Sequence, residues 1–284
     1  MNIIAWPAPA KINLFLHVVG RRADGYHLLQ THFQFLDYGD DLFFNVRPDG
    51  VITRLSDLPG VPPAQDLVVR AAQALQRAAA TPLGVDIRVV KRLPMGGGLG
   101  GGSSNAATVL RALDHLWGCA LGEQRLADIG LTLGADVPVF VRGQAAWAEG
   151  VGEQLQALDA PEGWTLVIHP GCEVPTAMIF GDSELTRDTP PLTLSTLPQA
   201  DTRNDLESVT RRLFPAVGEA LDWLGQFAPA RMSGSGACIF AAFGSETAAR
   251  ATGQQVPAQW TWFVARRSNR SALLDRLALS EAPH

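Results

Sequence analysis

The chain has 284 residues and a formal net charge of −5, and 46% of its residues are hydrophobic while 18% are charged. This composition predicts a soluble globular protein with a sizeable buried core and excludes a disordered or fibrous chain. The acidic balance argues against a nucleic-acid-binding or membrane-surface role, because both usually need a basic face.

The cysteines and the first ten residues indicate in which cellular compartment the protein is expected. Cys119, Cys172 and Cys238 are far apart and form no CxxC pair, which predicts neither a disulfide framework nor a zinc site. Residues 1–10 contain prolines and lack the basic and apolar regions of a signal peptide. The uncharged stretch 93–110 is too rich in Gly and Ser for a membrane span. We therefore expect a cytoplasmic protein.

Residue patterns in the first half predict six short strands and three helices. Strands are expected at 11–19, 28–37, 42–46 and 85–90, with a turn at 21–26 and a loop at 48–63. A helix is expected over 66–80, with Asp66 as its N-cap. Further helices are expected at 103–117 and 123–133. Two more strands are predicted at 137–141 and 145–149.

The second half mixes strands and helices without strict alternation. A buried strand is expected at 164–169, and 170–199 is rich in proline and low in periodicity. The segment 204–227 is predicted to be helical with a break near Pro215. Strands are expected at 237–243 and 261–265, with helices after Ser245 and Asn269. This pattern predicts an α+β fold in two subdomains, 1–158 and 159–284.

A glycine loop lies between a predicted strand and a predicted helix. Six of the seven positions from Gly96 to Gly102 are glycine, so the backbone can approach an anion without Cβ clashes. Ser103, Ser104 or Asn105 is expected to cap the helix, whose N–H groups and dipole favour phosphate. The alternative is a flexible linker, but the close flanking elements favour a phosphate-binding loop.

The loop matches two common phosphate-binding designs only in part. G-x-G-x-x-G occurs at Gly96, Gly98 and Gly101, yet no βαβ unit precedes it. A Walker A loop nearly fits, but Ser103 stands where its lysine must be. A loop without its own lysine needs a cation from elsewhere, and the lysines of this chain are Lys11 and Lys91, the other 21 basic residues being arginine. Chance survival of two lysines in an arginine-rich chain is the alternative.

Three segments together resemble a kinase superfamily. The run from Pro94 to Ser104 resembles the phosphate loop of the superfamily that includes galactokinase, homoserine kinase and mevalonate kinase. Residues 9–14 (PAKINL) resemble its N-terminal motif, and residues 231–238 (RMSGSGAC) resemble its C-terminal glycine motif. The resemblance implies a two-subdomain α+β kinase with its active site in the cleft between the subdomains, and ATP and Mg²⁺ as cofactors.

Four motifs narrow the resemblance to the diphosphocytidyl-methylerythritol kinase branch. They are residues 9–14, 22–27 (RADGYH), 99–104 (LGGGSS) and 134–140 (GADVPVF). This branch implies ATP-dependent phosphorylation of the 2-hydroxyl of a cytidine-diphosphate-linked methylerythritol, in non-mevalonate isoprenoid biosynthesis.

The resemblance also implies roles for individual residues. Lys11 and Asp136 would form the catalytic pair: a carboxylate can take the proton of a poorly nucleophilic hydroxyl, and an ammonium can neutralise charge on the phosphoryl oxygens. Asn13, on the same strand face as Lys11, would orient the substrate. An ordinary Asx turn is the alternative for Asp136. The nucleotide would contact Lys91, Pro94, Met95, Gly96, Gly97, Gly98, Leu99, Gly100, Gly101, Gly102, Ser103 and Ser104.

Aromatic residues are expected to hold the cytosine. Tyr26 would stack on the base, His27 would hydrogen-bond its edge, and Phe180 would form the second wall. The alternatives are a surface turn for Tyr26 and His27 and a core position for Phe180. Two positions depart from the branch: Asp66 stands where Asn is common, and Asn105 stands where many members have Asp.

Three rival functions remain open from the sequence. A homoserine- or mevalonate-type kinase would not need the Tyr26-His27 platform. A nucleotide-binding regulator without chemistry would not need both Lys11 and Asp136. A dehydrogenase would bind a dinucleotide without competition from ATP. The only predicted partner is a small-molecule substrate, and no residues are predicted as metal ligands.

Overall fold

Two long antiparallel strands, β1 (Trp6–Arg21) and β2 (His27–Arg47), run through the centre of the protein. Both carry alternating and continuous runs of buried apolar side chains, as strands covered on both faces require. A tight turn joins them, in which Gly25 N–H donates to Arg22 O and Gly25 has φ +90°. Only glycine adopts this conformation without steric cost.

The computed structural model describes residues 4–58 and 60–281. The remaining strands are β3 (Ile52–Arg54), β4 (Gly84–Val90), β5 (Ala146–Glu149), β6 (Gln154–Ala157), β7 (Gly163–His169), β8 (Ala230–Met232), β9 (Ile239–Phe243) and β10 (Thr261–Ser268). The helices are α1 (Leu67–Ala79), α2 (Gly101–Leu116), α3 (Glu123–Leu131), α4 (Val137–Arg142), α5 (Thr176–Gly181), α6 (Glu207–Leu213), α7 (Pro215–Gly225), α8 (Glu246–Gly253) and α9 (Ala272–Glu281). No helix within the described ranges is long and apolar enough to cross a membrane.

The strands form one continuous sheet. Its main order is β3-β4-β2-β10-β7-β9-β8, while β1 pairs with β2, and β5 pairs with β2 and β6. The neighbours are antiparallel except for the parallel pair β3 and β4. Because β2 is long, different segments of it pair with β1, β4, β5 and β10, and β10 joins the two halves of the sheet.

Two large apolar clusters cover this sheet. The first lies between the sheet and α1 to α4, and it includes Leu273, Leu274 and Leu277 of α9. The second lies among β7, β9, α6 and α7. Each cluster draws on both ends of the chain, since Leu16 and Val18 of β1 belong to the second and α9 belongs to the first. The division at 158/159 itself stays a prediction.

Several elements differ from expectation. The strands predicted at 28–37 and 42–46 are one strand, β2. The segment 137–141, predicted as a strand from its valines, is the helix α4, with Pro138 in its first turn and Gly143 ending it at φ +64°. Its residues 137–141 are all buried, so tertiary packing overrides their β-propensity. The predicted N-cap Asp66 and the break before Pro215 are confirmed.

Candidate active site

The glycine loop packs too closely for any other residue type at several positions. Gly96, Gly98 and Gly100 have φ of +61°, +71° and +72°. A Cβ at Gly98 would lie 2.0 Å from Ser233 O, and one at Gly100 would lie 2.7 Å from the ring of Phe140. The glycines therefore allow both a left-handed backbone and a close approach of two loops.

The C-terminal glycine motif holds this loop directly. Ala237 N–H donates to Gly96 O at 3.2 Å, and Cys238 N–H donates to Gly97 O at 3.1 Å. The Ser233 hydroxyl donates to Gly98 O at 2.9 Å. Two segments far apart in the chain thus form one backbone cradle.

Helix α2 starts inside the glycines and not after them. Its N-cap is Gly100, which provides no side-chain cap, so the expectation that Ser103, Ser104 or Asn105 caps the helix is wrong. The Ser104 hydroxyl is buried and donates to Pro9 O at 2.7 Å, whereas Ser103 lines the cleft beside the loop. The first-turn N–H groups of α2 thus receive no side-chain cap from Gly100 and suit an anion.

Lys11 and Asp136 meet at the end of the glycine loop. Lys11 Nζ lies 3.3 Å from Asp136 Oδ2, and the two side chains are 4% and 34% exposed. The ammonium also donates to Asn13 Oδ1 at 2.6 Å and to Gly98 O at 3.1 Å. Buried charges need such partners. The buried cation is therefore fixed, while the carboxylate opens into the cleft.

Asn13 is held on the side away from the lysine. Its Nδ2 donates to Thr31 Oγ1 at 2.9 Å, and its backbone N–H donates to Ser233 Oγ at 3.3 Å. With Nδ2 donating to Thr31, Asn13 Oδ1 is left to accept from Lys11. Asn13 therefore positions the ammonium, a contact that the sequence alone did not predict.

Lys91 reaches the loop from the opposite side. Its Nζ donates to Asp40 Oδ2 at 2.6 Å, and it lies 3.0 Å from where a Cβ on Gly101 would be. The fully buried Asp40 carboxylate also accepts from the N–H groups of Arg92 and Leu93 at 2.7 and 2.9 Å. Asp40 therefore fixes the turn that leads into the loop, a role the sequence reading missed.

The residues predicted to hold a base lie in a second group. Tyr26 is 64% exposed, while His27 is buried. The ring of Phe180 packs against the imidazole of His27, with ring centres 5.0 Å apart and planes at 35°. Phe180 thus lies next to His27, and its stacking opposite Tyr26 stays a prediction.

Arg187 organises this group, and sequence reasoning missed it. Its Nε donates to His27 Nε2 at 3.0 Å, and its Nη2 donates to the carbonyls of Phe180 and Asp182 at 3.0 and 2.6 Å. Burial lowers the pKa of His27, and the cations Arg187 and Arg21 lower it further. A neutral His27 that accepts at Nε2 carries its proton on Nδ1.

One cleft of about 580 Å³ joins most of the predicted residues. It is lined by Lys11, Asn13, Lys91, residues 94–103, Asp136 and Phe180. Tyr26, His27 and Ser104 are not among the lining residues in the described part of the chain. Asp66 also lines it, capping Val68 N–H at 2.9 Å and pairing with Arg54 at 2.6 Å. The side-chain oxygen of Asn105, also in the lining, is buried without a partner in the described structure.

The groups that line the cleft fit a nucleoside triphosphate better than a metal ion held by protein ligands alone. The left-handed glycines, the uncapped first turn of α2 and Lys91 supply donors and a cation for phosphate oxygens. Within residues 4–58 and 60–281, no three His, Cys, Asp or Glu side chains lie close enough to hold a metal ion. Ser103 and Asp136 are the cleft-lining residues that would be available to a divalent ion bound with the nucleotide.

Family models match both halves of the chain. The "GHMP kinases N terminal domain" matches residues 66–144, and "GHMP kinases C terminal" matches residues 193–261. A crystal structure of mevalonate kinase from Methanococcus jannaschii superposes with a TM-score of 0.70 over 94% of this chain and 99% of its own, at 13% identity. That likeness shows the fold alone, and it confirms the predicted fold class.

Relatives of higher identity cover nearly the whole chain. A 4-diphosphocytidyl-2-C-methyl-D-erythritol kinase of Alkalilimnicola ehrlichii is 59% identical over 96% of this chain and 94% of its own length. One of Halorhodospira halophila is 58% identical over 98% and 96%. A crystal structure of 4-(cytidine 5'-diphospho)-2C-methyl-D-erythritol kinase superposes with a TM-score of 0.80 at 35% identity, over 93% and 99%. The chain belongs to the 4-diphosphocytidyl-2-C-methyl-D-erythritol kinase family of the GHMP kinases.

Proposed function

We propose that the protein transfers the γ-phosphoryl group of ATP to the 2-hydroxyl of 4-diphosphocytidyl-2-C-methyl-D-erythritol. The products are ADP and the 2-phosphate, and the reaction belongs to non-mevalonate isoprenoid biosynthesis. Membership of the GHMP kinases makes the chain an ATP-dependent kinase. The observation that carries the proposal is the Lys11–Asp136 pair, 3.3 Å apart, at the edge of the glycine cradle.

Asp136 acts as the base in this proposal. Its carboxylate is partly open to the cleft, where a bound hydroxyl can come within hydrogen-bond reach. As the hydroxyl oxygen attacks the γ-phosphorus, its proton passes to the carboxylate. Because α4 starts directly after Asp136 and is buried, the carboxylate keeps a fixed direction.

Lys11 supplies positive charge where negative charge develops. Its ammonium already contacts Asp136, Asn13 and Gly98 O, so it needs no rearrangement when the reaction begins. In other enzymes, one fixed donor of this kind lowers the activation free energy by about 3 kcal/mol. Lys11 also stabilises the hydroxyl oxygen as it loses its proton.

The glycine cradle binds the nucleotide phosphates through backbone N–H groups, and Lys91 and Ser103 contact their oxygens. Mg²⁺, when bound with the nucleotide, neutralises charge on the β- and γ-phosphates. Tyr26 stacks on the cytosine, and Phe180 covers its other side. His27, with its proton on Nδ1, donates a hydrogen bond to an acceptor on the base edge.

The direct test is ADP release by the purified protein with ATP, Mg²⁺ and one acceptor at a time. The acceptors are 4-diphosphocytidyl-2-C-methyl-D-erythritol, homoserine and mevalonate. Turnover with the cytidylyl substrate alone is expected. Turnover with homoserine or mevalonate alone would support kinase activity but refute the proposed substrate. ATP binding without any turnover would favour a nucleotide-binding regulator.

A further inference from the structure

A second cavity of about 430 Å³ lies at the C-terminal end of α4. α2, α3, α4, β5, β6 and α9 all contribute side chains to it. It shares none of its lining residues with the cleft of Lys11 and Asp136. Its volume falls within the range of small-molecule sites, about 300 to 1,000 Å³.

Three arginines from different elements line this cavity: Arg111 of α2, Arg142 of α4 and Arg270 before α9. Glu123 is the one acidic side chain among the described lining residues, and it lies 4.0 Å from Arg111. The lining therefore carries an excess of positive charge in a protein whose net charge is −5.

Most of the guanidinium donors are not used by the protein. Arg142 Nη2 donates to Gln124 Oε1 at 3.1 Å, and Arg270 Nε donates to Asp275 Oδ1 at 2.7 Å. The Nε atoms of Arg111 and Arg142 are buried and meet no acceptor in the described part of the chain. Each guanidinium has five N–H donors, and buried donors without acceptors are costly. The other N–H groups of these three arginines line the cavity and are available to an anion.

The other wall of the cavity is apolar. Ala146 of β5, Leu155 of β6 and three residues of α9 form it. Leu274 and Leu277 of α9 belong to the first core cluster, so this wall is rigidly held. A ligand that fits both walls carries its charge at one end and a short apolar group at the other.

We propose that this cavity binds a phosphate or diphosphate ester with a short apolar group. Three arginines suit a group of two or more negative charges with several acceptor oxygens, since guanidinium pairs bidentately with phosphate. A solvated arginine surface is the alternative, but these three arginines come from three separate elements and line one cavity. The inference is independent of the reaction proposed for the first cleft.

The binding test uses hexyl phosphate and inorganic phosphate as probes in isothermal titration calorimetry on the full chain. A non-hydrolysable ATP analogue at saturating concentration keeps both probes out of the glycine cradle. Hexyl phosphate is expected to bind one to one and more tightly than inorganic phosphate. No binding of hexyl phosphate, or equal affinity of the two probes, would overturn the proposal.

Arginine variants test whether hexyl phosphate binds in this cavity. Arg142→Gln combined with Arg270→Gln should weaken hexyl phosphate binding about tenfold or more, because two charged hydrogen-bond partners are lost. Arg250→Gln removes an exposed arginine paired with Glu246 on α8, and its affinity should equal that of the parent. If the double variant does not fold, Arg270→Gln alone, at an exposed position, should still weaken binding severalfold. Unchanged affinity in the folded variants contradicts the assignment.

Discussion

Lys11 Nζ lies 3.3 Å from Asp136 Oδ2, with the lysine almost fully buried in β1 and the aspartate at the start of α4. The lysine is fixed by Asn13 and Gly98, and the aspartate faces the cleft. This pair places a base and a cation side by side next to a backbone cradle for phosphate.

Lys11→Arg should lower kcat about a hundredfold although it keeps the charge. The ammonium is enclosed by Asn13 and Gly98, and its Cε lies 3.2 Å from where a Cβ on Gly100 would be, so a guanidinium does not fit without displacing the loop. Steady-state kinetics measure this effect. The comparison variant is Lys91→Arg, whose side chain is less enclosed and whose kcat should change severalfold at most. A near-normal kcat for Lys11→Arg would contradict the assigned role.

Gly98→Ala should destabilise the fold by about 2 kcal/mol or more and weaken ATP binding. Its φ is +71°, and the new Cβ would lie 2.0 Å from Ser233 O, so the cradle must open. Gly102→Ala is the control for stability: among the described residues its Cβ would contact only Leu67, at 3.4 Å, and its φ is not positive. Denaturant unfolding should separate the two variants, and ATP titration measures the loss of binding by Gly98→Ala. Equal free energies of unfolding for Gly98→Ala and Gly102→Ala would contradict this prediction.

Arg187→Gln should raise the pKa of His27 and raise KM for the cytidylyl substrate more than KM for ATP. The guanidinium is a cation beside His27 and holds its Nε2, so its removal eases protonation and frees the ring. NMR pH titration of the imidazole and steady-state kinetics provide the two readouts. Arg212→Gln removes an exposed partner of Asp182 and Glu184. It should leave the pKa of His27 and KM for the cytidylyl substrate unchanged. An unchanged His27 pKa in Arg187→Gln would refute the positioning role.

The same pKa shift predicts how stability depends on pH. The folded-state pKa of His27 lies below its ordinary value of 6.5, so the unfolded chain takes up the proton first as the pH falls. The pKa values of His17, His32 and His169 are lowered as well, in each case chiefly by burial. The free energy of unfolding should therefore decrease as the pH falls below about 6.5. Urea unfolding between pH 8 and 5 measures this, and a constant free energy would contradict it.

Tyr26→Ala should raise KM for the cytidylyl substrate far more than KM for ATP, because an exposed ring offers a stacking surface for a base. The change should cost little stability at a position that is 64% exposed. Tyr26→Phe keeps the ring and should behave nearly as the parent. Equal increases in both KM values for Tyr26→Ala would argue against stacking.

Local signals predicted much of the fold correctly. Asp66 and Ser245 accept from N–H groups of the helices they were expected to begin, and Pro215 separates α6 from α7. Helix capping and proline breaks involve residues only a few positions apart, so they can be recognised directly in the sequence. The glycine loop was evident for the same reason, although its helix begins at Gly101.

Features that depend on distant partners were not predictable in this way. β2 continues through Gly39 and Asp40 because the backbone of Ala8 and Pro9 packs against Gly39, and the carboxylate of Asp40 is held by the turn after β4. α4 is helical because its apolar residues are all buried. Lys11 and Asp136 were paired by resemblance to known kinases, since no local rule brings them together.

A single-turnover measurement on Asp136→Asn, with bound ATP and the cytidylyl substrate, tests whether this carboxylate is the base. The phosphoryl-transfer rate is expected to fall about a hundredfold or more while ATP affinity stays nearly the same, because the amide cannot take the hydroxyl proton. A transfer rate close to that of the parent enzyme would contradict Asp136 as the base and, with it, the central role of the Lys11–Asp136 pair.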